Sequence, residues 1–294
     1  MKEQFITHRF SADSLSLIDT INKILDEYRN QNFRLSLRQL YYQLVSRDFI
    51  PNTQRSYKNT GNIVSTARQA GLIDWEMIED RNRETNIPQH WENPGEIIYT
   101  AAQAFHIDKW TNQSNHIEVM VEKDALSGVL GPVCRGLDIG ITANKGYSSS
   151  STMYEIGKRL RSKHEDEEKT IIILYLGDHD PSGIDMTRDV EERLKLYADI
   201  DEIEVIRLAL NMDQIKLWKP PENPAKETDA RFASYVSQFG DSSWELDAVE
   251  PAQLASLVTN AVLERRDEIN WLAAVDEEKA MREKLRKFAD DYQR

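Results

Sequence analysis

The apolar positions of residues 13–28, DSLSLIDTINKILDEY, fall three and four apart. Leu17, Ile18, Ile21, Ile24, Leu25 and Tyr28 therefore share one face and predict an amphipathic helix. Ser36 stands as an N-cap before a second helix, LRQLYYQLVSRD, which FIPNTQ with its central Pro51 brings to an end. A third helix over RSYKNTGNIVSTARQAG stops at Gly71, and the following LIDWEMIEDRNRE reads as a short helix or as a strand and turn. Residues 86–116, with Pro88, Pro94 and Gly95 around a short helical stretch, read as a connector.

Beyond the connector the period changes. IEVMV, IGITAN, TIIILYL and IEVIRLAL predict buried strands, and they alternate with helices over ALSGVLGPVCRGL, STMYEIGKRLRSK and GIDMTRDVEERLKLYA. That alternation predicts a parallel, Rossmann-like sheet covered on both faces. KPPENPAKETDAR is an irregular, proline-rich excursion, and the chain from Pro251 onward predicts helix. The expected fold class is α/β: a helical winged-helix domain over residues 1–93, a connector over 94–116, a sheet domain over 117–262 and a charged helical tail over 263–294. A chain of 294 residues, 40% hydrophobic, is long enough for two cores.

Charge sharpens this division. The total is −13, which argues against indiscriminate binding to nucleic acid. Residues 29–73 nevertheless carry Arg29, Arg34, Arg38, Arg47, Arg55, Lys58 and Arg68 against the single acid Asp48. A basic module on an acidic body suits a protein that offers one face to a polyanion; chance clustering on a solvated surface is the plainer reading. In a winged helix, Arg55, Lys58, Asn59, Asn62 and Arg68 of the third helix would face a DNA groove. Cys134 is the single cysteine and permits no intrachain disulfide. The N-terminus has neither a signal core nor a transit pattern, which predicts a cytoplasmic protein. The longest strongly apolar run, IIILYL, falls far short of the ~20 residues of a membrane span.

Candidate chemistry gathers where parallel strands end. Glu122 leaves the first strand, and Asp178 and Asp180 leave a central one. Three carboxylates from two strands would form a hard, oxygen-rich cage suited to Mg²⁺, with Mn²⁺ as a substitute. His179, between the aspartates, should point the other way. The plainer reading is turn and cap chemistry, since Asp180 before Pro181 also starts a helix. Lys123 reads either as a phosphate contact or as a solvated lysine. Glu245 and Asp247 read either as support for the metal or as caps of the next helix.

These residues resemble a known family. VEKDAL, NKGYSSSSTMYEIGKRL, LYLGDHDPSGIDM and WELDAV are similar to successive motifs of the A subunit of topoisomerase VI and its relative, the meiotic double-strand-break transesterase. The resemblance runs from Leu35 to about Val262. It implies a winged helix followed by a Toprim metal-binding domain. It also implies a homodimer on double-stranded DNA, each subunit's tyrosine working against the partner's carboxylates. Where that family carries an Arg-Asp-x-Tyr-Tyr type sequence, this chain reads Arg38, Gln39, Leu40, Tyr41, Tyr42.

Helical geometry separates the two tyrosines without the family. At about 100° per residue, Tyr41 joins the apolar stripe of Leu37, Leu40, Leu44 and Val45, and Tyr42 falls about 130° from its centre beside Arg38. Tyr41 is expected in the core. Tyr42 is either packing against another domain or, as the resemblance implies, a nucleophile that forms a 5′-phosphotyrosyl link. Arg38 would hold a phosphate oxygen or stabilise the phenolate. The catalytic set is therefore Tyr42, Arg38 and Glu122. The alternatives are a metal-dependent hydrolase in which Tyr42 only docks DNA, and a noncatalytic DNA-binding protein. With no Walker-type nucleotide site in the chain, strand passage would call for a separate ATPase subunit.

Overall fold

The computed structural model describes residues 1–79, 88–144 and 146–292. Its first three helices are α1 (Ala12–Asn30), α2 (Leu37–Ser46) and α3 (Gln54–Gln69), with the two-residue strand β1 (Leu35–Ser36) ahead of α2. Ser11, Ser36 and Thr53 each cap a helix by accepting an N–H from the first turn, and at α2 the Gln39 side chain answers on the Ser36 N–H. The apolar stripe of α1 packs on Leu35 from β1, on Leu40 and Leu44 from α2 and on Val64 and Ala67 from α3. This core is separate from those of the sheet.

The stretch after α3 follows the strand-and-turn alternative as far as Glu79. Among the described residues it holds β2 (Ile78–Glu79), which pairs parallel with β1, Leu35 opposite Ile78. Residues 80–84, the rest of that stretch, lie outside the described residues. Arg68 explains the fold-back. Its guanidinium lies 4.5 Å over the Trp75 ring and donates to the Trp75 carbonyl, tying the segment to α3.

The chain continues through α4 (Pro94–Ala104), β3 (Asn115–Val121), α5 (Ser127–Gly136), β4 (Gly140–Ala143), α6 (Ser150–Glu165), β5 (Thr170–Leu176), α7 (Pro181–Ala198) and β6 (Ile203–Ala209). Strands β4, β3, β5 and β6 form one parallel sheet in that order. The alternation in β5 shows why both faces are covered. Ile172, Leu174 and Leu176 enter the core shared with α5, while Ile171, Ile173 and Tyr175 enter the core under α6 and α7. Each fully buried Ile or Leu contributes about 1.5–3 kcal/mol, so a charge at Leu174 would break the layer.

After β6 come α8 (Met212–Trp218), β7 (Glu222–Pro224), α9 (Phe232–Phe239) and β8 (Ser242–Trp244). Strand β7 pairs antiparallel with β8 and gives the proline-rich excursion a fixed path. A short 3-10 turn at Leu246–Ala248 leads to α10 (Pro251–Leu263) and α11 (Glu268–Tyr292). The tail is anchored rather than simply solvated. Lys109 lies 2.6 Å from Glu278, Arg282 donates to the Phe105 carbonyl, and Trp271 is buried beside Trp110. Among the described residues no helix is long and apolar enough to cross a membrane.

Candidate active site

Strands β3 and β5 are neighbours in register, Val121 opposite Leu176, so their carboxyl ends abut. The first residues past them are therefore held together: the Glu122 N–H donates to the Leu176 carbonyl at 2.9 Å. The Glu122 carboxylate in turn accepts the Asp178 N–H at 2.8 Å. Gly177 makes this reach feasible, because a Cβ there would stand 2.9 Å from Glu122 Oε2 and 2.8 Å from the Tyr175 ring. Gly183 does the same for the start of α7, where a Cβ would lie 2.2 Å from the Asp178 carbonyl oxygen.

The three carboxylates proposed from the sequence are close in the chain's fold but turned to different partners. Asp178 accepts the Leu246 N–H at 2.7 Å and pairs with the Lys123 ammonium at 2.7 Å. Asp180 is the N-cap of α7, accepting the Gly183 N–H at 2.6 Å and the Ser182 hydroxyl at 2.9 Å. Among the described residues, no three His, Cys, Asp or Glu side chains stand around one point as a metal-ligand group. The plainer reading of Asp180 thus describes its present contacts. His179 points away from the aspartates, as expected, and meets the Tyr235 hydroxyl at 2.7 Å. The rings of Tyr235, Phe239 and Trp244 surround it, and burial pushes its pKa down to about 4.

Lys123 occupies the centre of the acidic cluster. Besides Asp178, its ammonium contacts Glu245 and lies 3.5 Å from Asp247. Arg38 approaches the same two acids from α2, 2.7 Å from Glu245 and 3.1 Å from Asp247. Asp247 is fully buried, and its oxygens make no hydrogen bond among the described residues; these two cations hold it by charge. Burial pushes Asp178 well above the usual carboxylate range, with Glu122 and Glu245 adding to the effect against Lys123. Burial also raises Glu122, assisted by the negative Asp180. Glu245 moves the other way, because Lys123 and Arg38 outweigh its burial.

The donor set is all oxygen, the kind that hard divalent ions take, while burial is the main cause that raises Glu122 and Asp178. Such donors suit Mg²⁺ or Mn²⁺, but as they stand the three carboxylates do not surround one point among the described residues. An ion shared by Glu122, Asp178 and Asp180 would compete with Lys123 for Asp178.

The tyrosine helix is docked onto this cluster. Tyr41 is core, as expected, its hydroxyl 3.1 Å from the Thr53 carbonyl and from Asn52 Oδ1. Tyr42, expected either to pack against another domain or to act as a nucleophile, is only 6% exposed and clusters with Ala248 of the 3-10 turn, which is the packing contact of the plainer reading. Arg38 lies 5.8 Å from the Tyr42 ring centroid. Burial raises the Tyr42 pKa and Glu245 adds to the rise, while Arg38 and Lys123 act in the opposite sense. Gln39 is committed to the α2 capping box. Two further contacts join the domains around this point: Tyr28 donates to Glu250, and Asn52 donates to Asn223 at 2.8 Å.

On α3, Arg55, Lys58, Asn59 and Asn62 are exposed. Arg68 is a correction to the proposed groove-facing set, since stacking on Trp75 and bonding to backbone carbonyls turn it inward. Arg207 was not foreseen. From β6 it donates to the carbonyls of Gly177, Asp178 and Gly183 and so fixes the loop that carries both aspartates. An arginine inside the largely apolar run IEVIRLAL was the available signal. Compared with known proteins, the chain matches no family model and no curated protein.

Proposed function

We propose that this chain binds double-stranded DNA and breaks its strands by transesterification through Tyr42, in the manner of the topoisomerase VI A subunit that its motifs resemble. The supporting observation is the continuous polar path from Arg38, one helical turn before Tyr42, through Glu245 and Asp247 to Lys123 and Asp178. Four segments distant in sequence meet there. On this reading the N-terminal helices are a winged-helix domain, with Arg55, Lys58, Asn59 and Asn62 on DNA, and the sheet is a Toprim domain.

In the reaction Tyr42 Oη attacks phosphorus, the Oη–P bond forms and the P–O3′ bond breaks. The phenol proton leaves to a nearby carboxylate or water, and the departing O3′ takes up a proton, leaving a 5′-phosphotyrosyl link and a free 3′-hydroxyl. Arg38, freed from Glu245, neutralises a phosphate oxygen. Mg²⁺ or Mn²⁺ held by Glu122, Asp178 and Asp180 would neutralise charge developing on the phosphate. Because Tyr42 is covered by the Leu246–Ala248 turn, that turn has to move aside before DNA is reached. A homodimer would cut once on each strand, and a separate ATPase subunit would drive any strand passage.

The test is incubation with supercoiled plasmid and Mg²⁺, looking for protein covalently attached to 5′ ends. Tyr42→Phe should abolish the adduct. The burial of Tyr42 favours one alternative, a hydrolase in which water attacks the phosphodiester on the same carboxylates. A Tyr42→Phe protein that still cuts with unchanged metal dependence would establish it.

A further inference from the structure

Beside Tyr42, α2 and the start of α3 line an open cavity of about 200 Å³. Its wall is aromatic: Tyr41, Tyr42 and Tyr57 line it, with the Tyr41 ring 5.2 Å from Tyr57 at 85° and 5.4 Å from Tyr42 at 63°. Arg38 closes one side, shared between this cavity and the acidic cluster. Asn52 and Gln54 stand at the rim. The Asn52 amide is already engaged with Tyr41 and Asn223, whereas Gln54, exposed at the first position of α3, makes no side-chain hydrogen bond among the described residues.

We infer that this cavity holds one unpaired nucleobase of the DNA strand, next to the phosphate that Arg38 would bind. The inference rests on the DNA-acting reading above and adds a subsite to it. The physical grounds are the aromatic wall, the size and the open amide. A base has two π faces to offer a tyrosine, a contact that contributes about 1–3 kcal/mol in single-strand binding. A volume near 200 Å³ suits a single planar heterocycle rather than a base pair. A glutamine amide at the rim can pair with a base edge. Phosphate is the poorer occupant, since Arg38 is the one cationic side chain in the lining and is already bound to two carboxylates. Tyr57 is thus a stacking residue and Gln54 an edge reader.

The experiment uses the full chain and a gapped duplex whose short single-stranded stretch carries 5-iodouracil. After irradiation, the attachment site is mapped by mass spectrometry, and affinity is measured in parallel for the gapped and the fully paired DNA. Attachment at Tyr57 or Tyr41 is expected. Tyr57→Leu should weaken gapped-DNA binding roughly 5- to 100-fold, with fully paired DNA bound within about twofold of wild type. Tyr57→Phe should restore binding, and Gln54→Ala should flatten any preference among bases in the gap. Attachment confined to the exposed face of α3, or gapped-DNA binding indifferent to Tyr57→Leu, would overturn the subsite while leaving DNA binding intact. A wild-type chain that binds neither DNA would overturn the functional reading and the subsite together.

Discussion

Replacing Lys123 by methionine removes the cation at the centre of the acidic cluster while keeping most of the side chain's volume. The ammonium is largely buried and serves Asp178, Glu245 and Asp247, so its loss leaves Arg38 as the one cation still paired with Glu245 and Asp247 and leaves Asp178 without its ammonium partner. Breaking a buried ion pair from one side costs about 3–5 kcal/mol. For a domain of this size that corresponds to a fall in Tm of roughly 6–20 °C. The pH dependence has a definite sign. Asp178 already titrates above its ordinary 3.8, and without Lys123 it rises further. An acid whose folded pKa is raised keeps its stability at low pH and loses it as pH rises through that pKa. The cost of Lys123→Met should therefore be greatest at neutral pH and shrink on acidification toward the ordinary carboxylate range. Thermal denaturation of both proteins at pH 7.5 and 5.5 measures this. Equal stability of mutant and wild type at pH 7.5, or a cost that grows toward acid, would refute the electrostatic account of the cluster.

Other outcomes follow from individual contacts. Asp180→Ala should cost about 1 kcal/mol through loss of the α7 cap, and Asp180→Asn only a few tenths, in urea denaturation. If Asp180 also serves a metal, Asp180→Asn should lose cleavage while remaining folded. Glu118, paired with Arg159 and His116, is held down at about 2 against an ordinary 4.5, those partners outweighing its burial. Its contribution, about 3 kcal/mol by linkage, should be present above pH 4.5 and lost as pH falls toward 2; Glu118→Gln should remove that part of the acid transition. Neutralising Arg55 and Lys58 together should lower the salt dependence of DNA affinity by about 2 in log–log slope, whereas Arg68→Ala should show first as lost stability, since that side chain braces the segment after α3.

The alternating strands and helices were legible because burial on one or both faces imposes periods of two and 3.6, and each strand expected beyond residue 116 occurs where its apolar run lies. The adjacency of Glu122 and Asp178 was partly legible, since parallel strands end on the same side of a sheet. That their two strands are immediate neighbours was not, because strand order is a matter of tertiary packing. Arg207 shows the same limit from another direction. Its oddity in an apolar strand was visible, but its five backbone and hydroxyl partners come from the chain around it in space.

By itself the sequence determined the helical and sheet segments, the core position of Tyr41 and the outward turn of His179, because these depend on spacing along one element. Tertiary structure decided that Tyr42 is covered, that Arg68 faces inward and that Lys123 sits among three carboxylates. Those outcomes depend on which surface of a distant segment arrives opposite a side chain. A residue's own neighbours in sequence carry no record of that encounter.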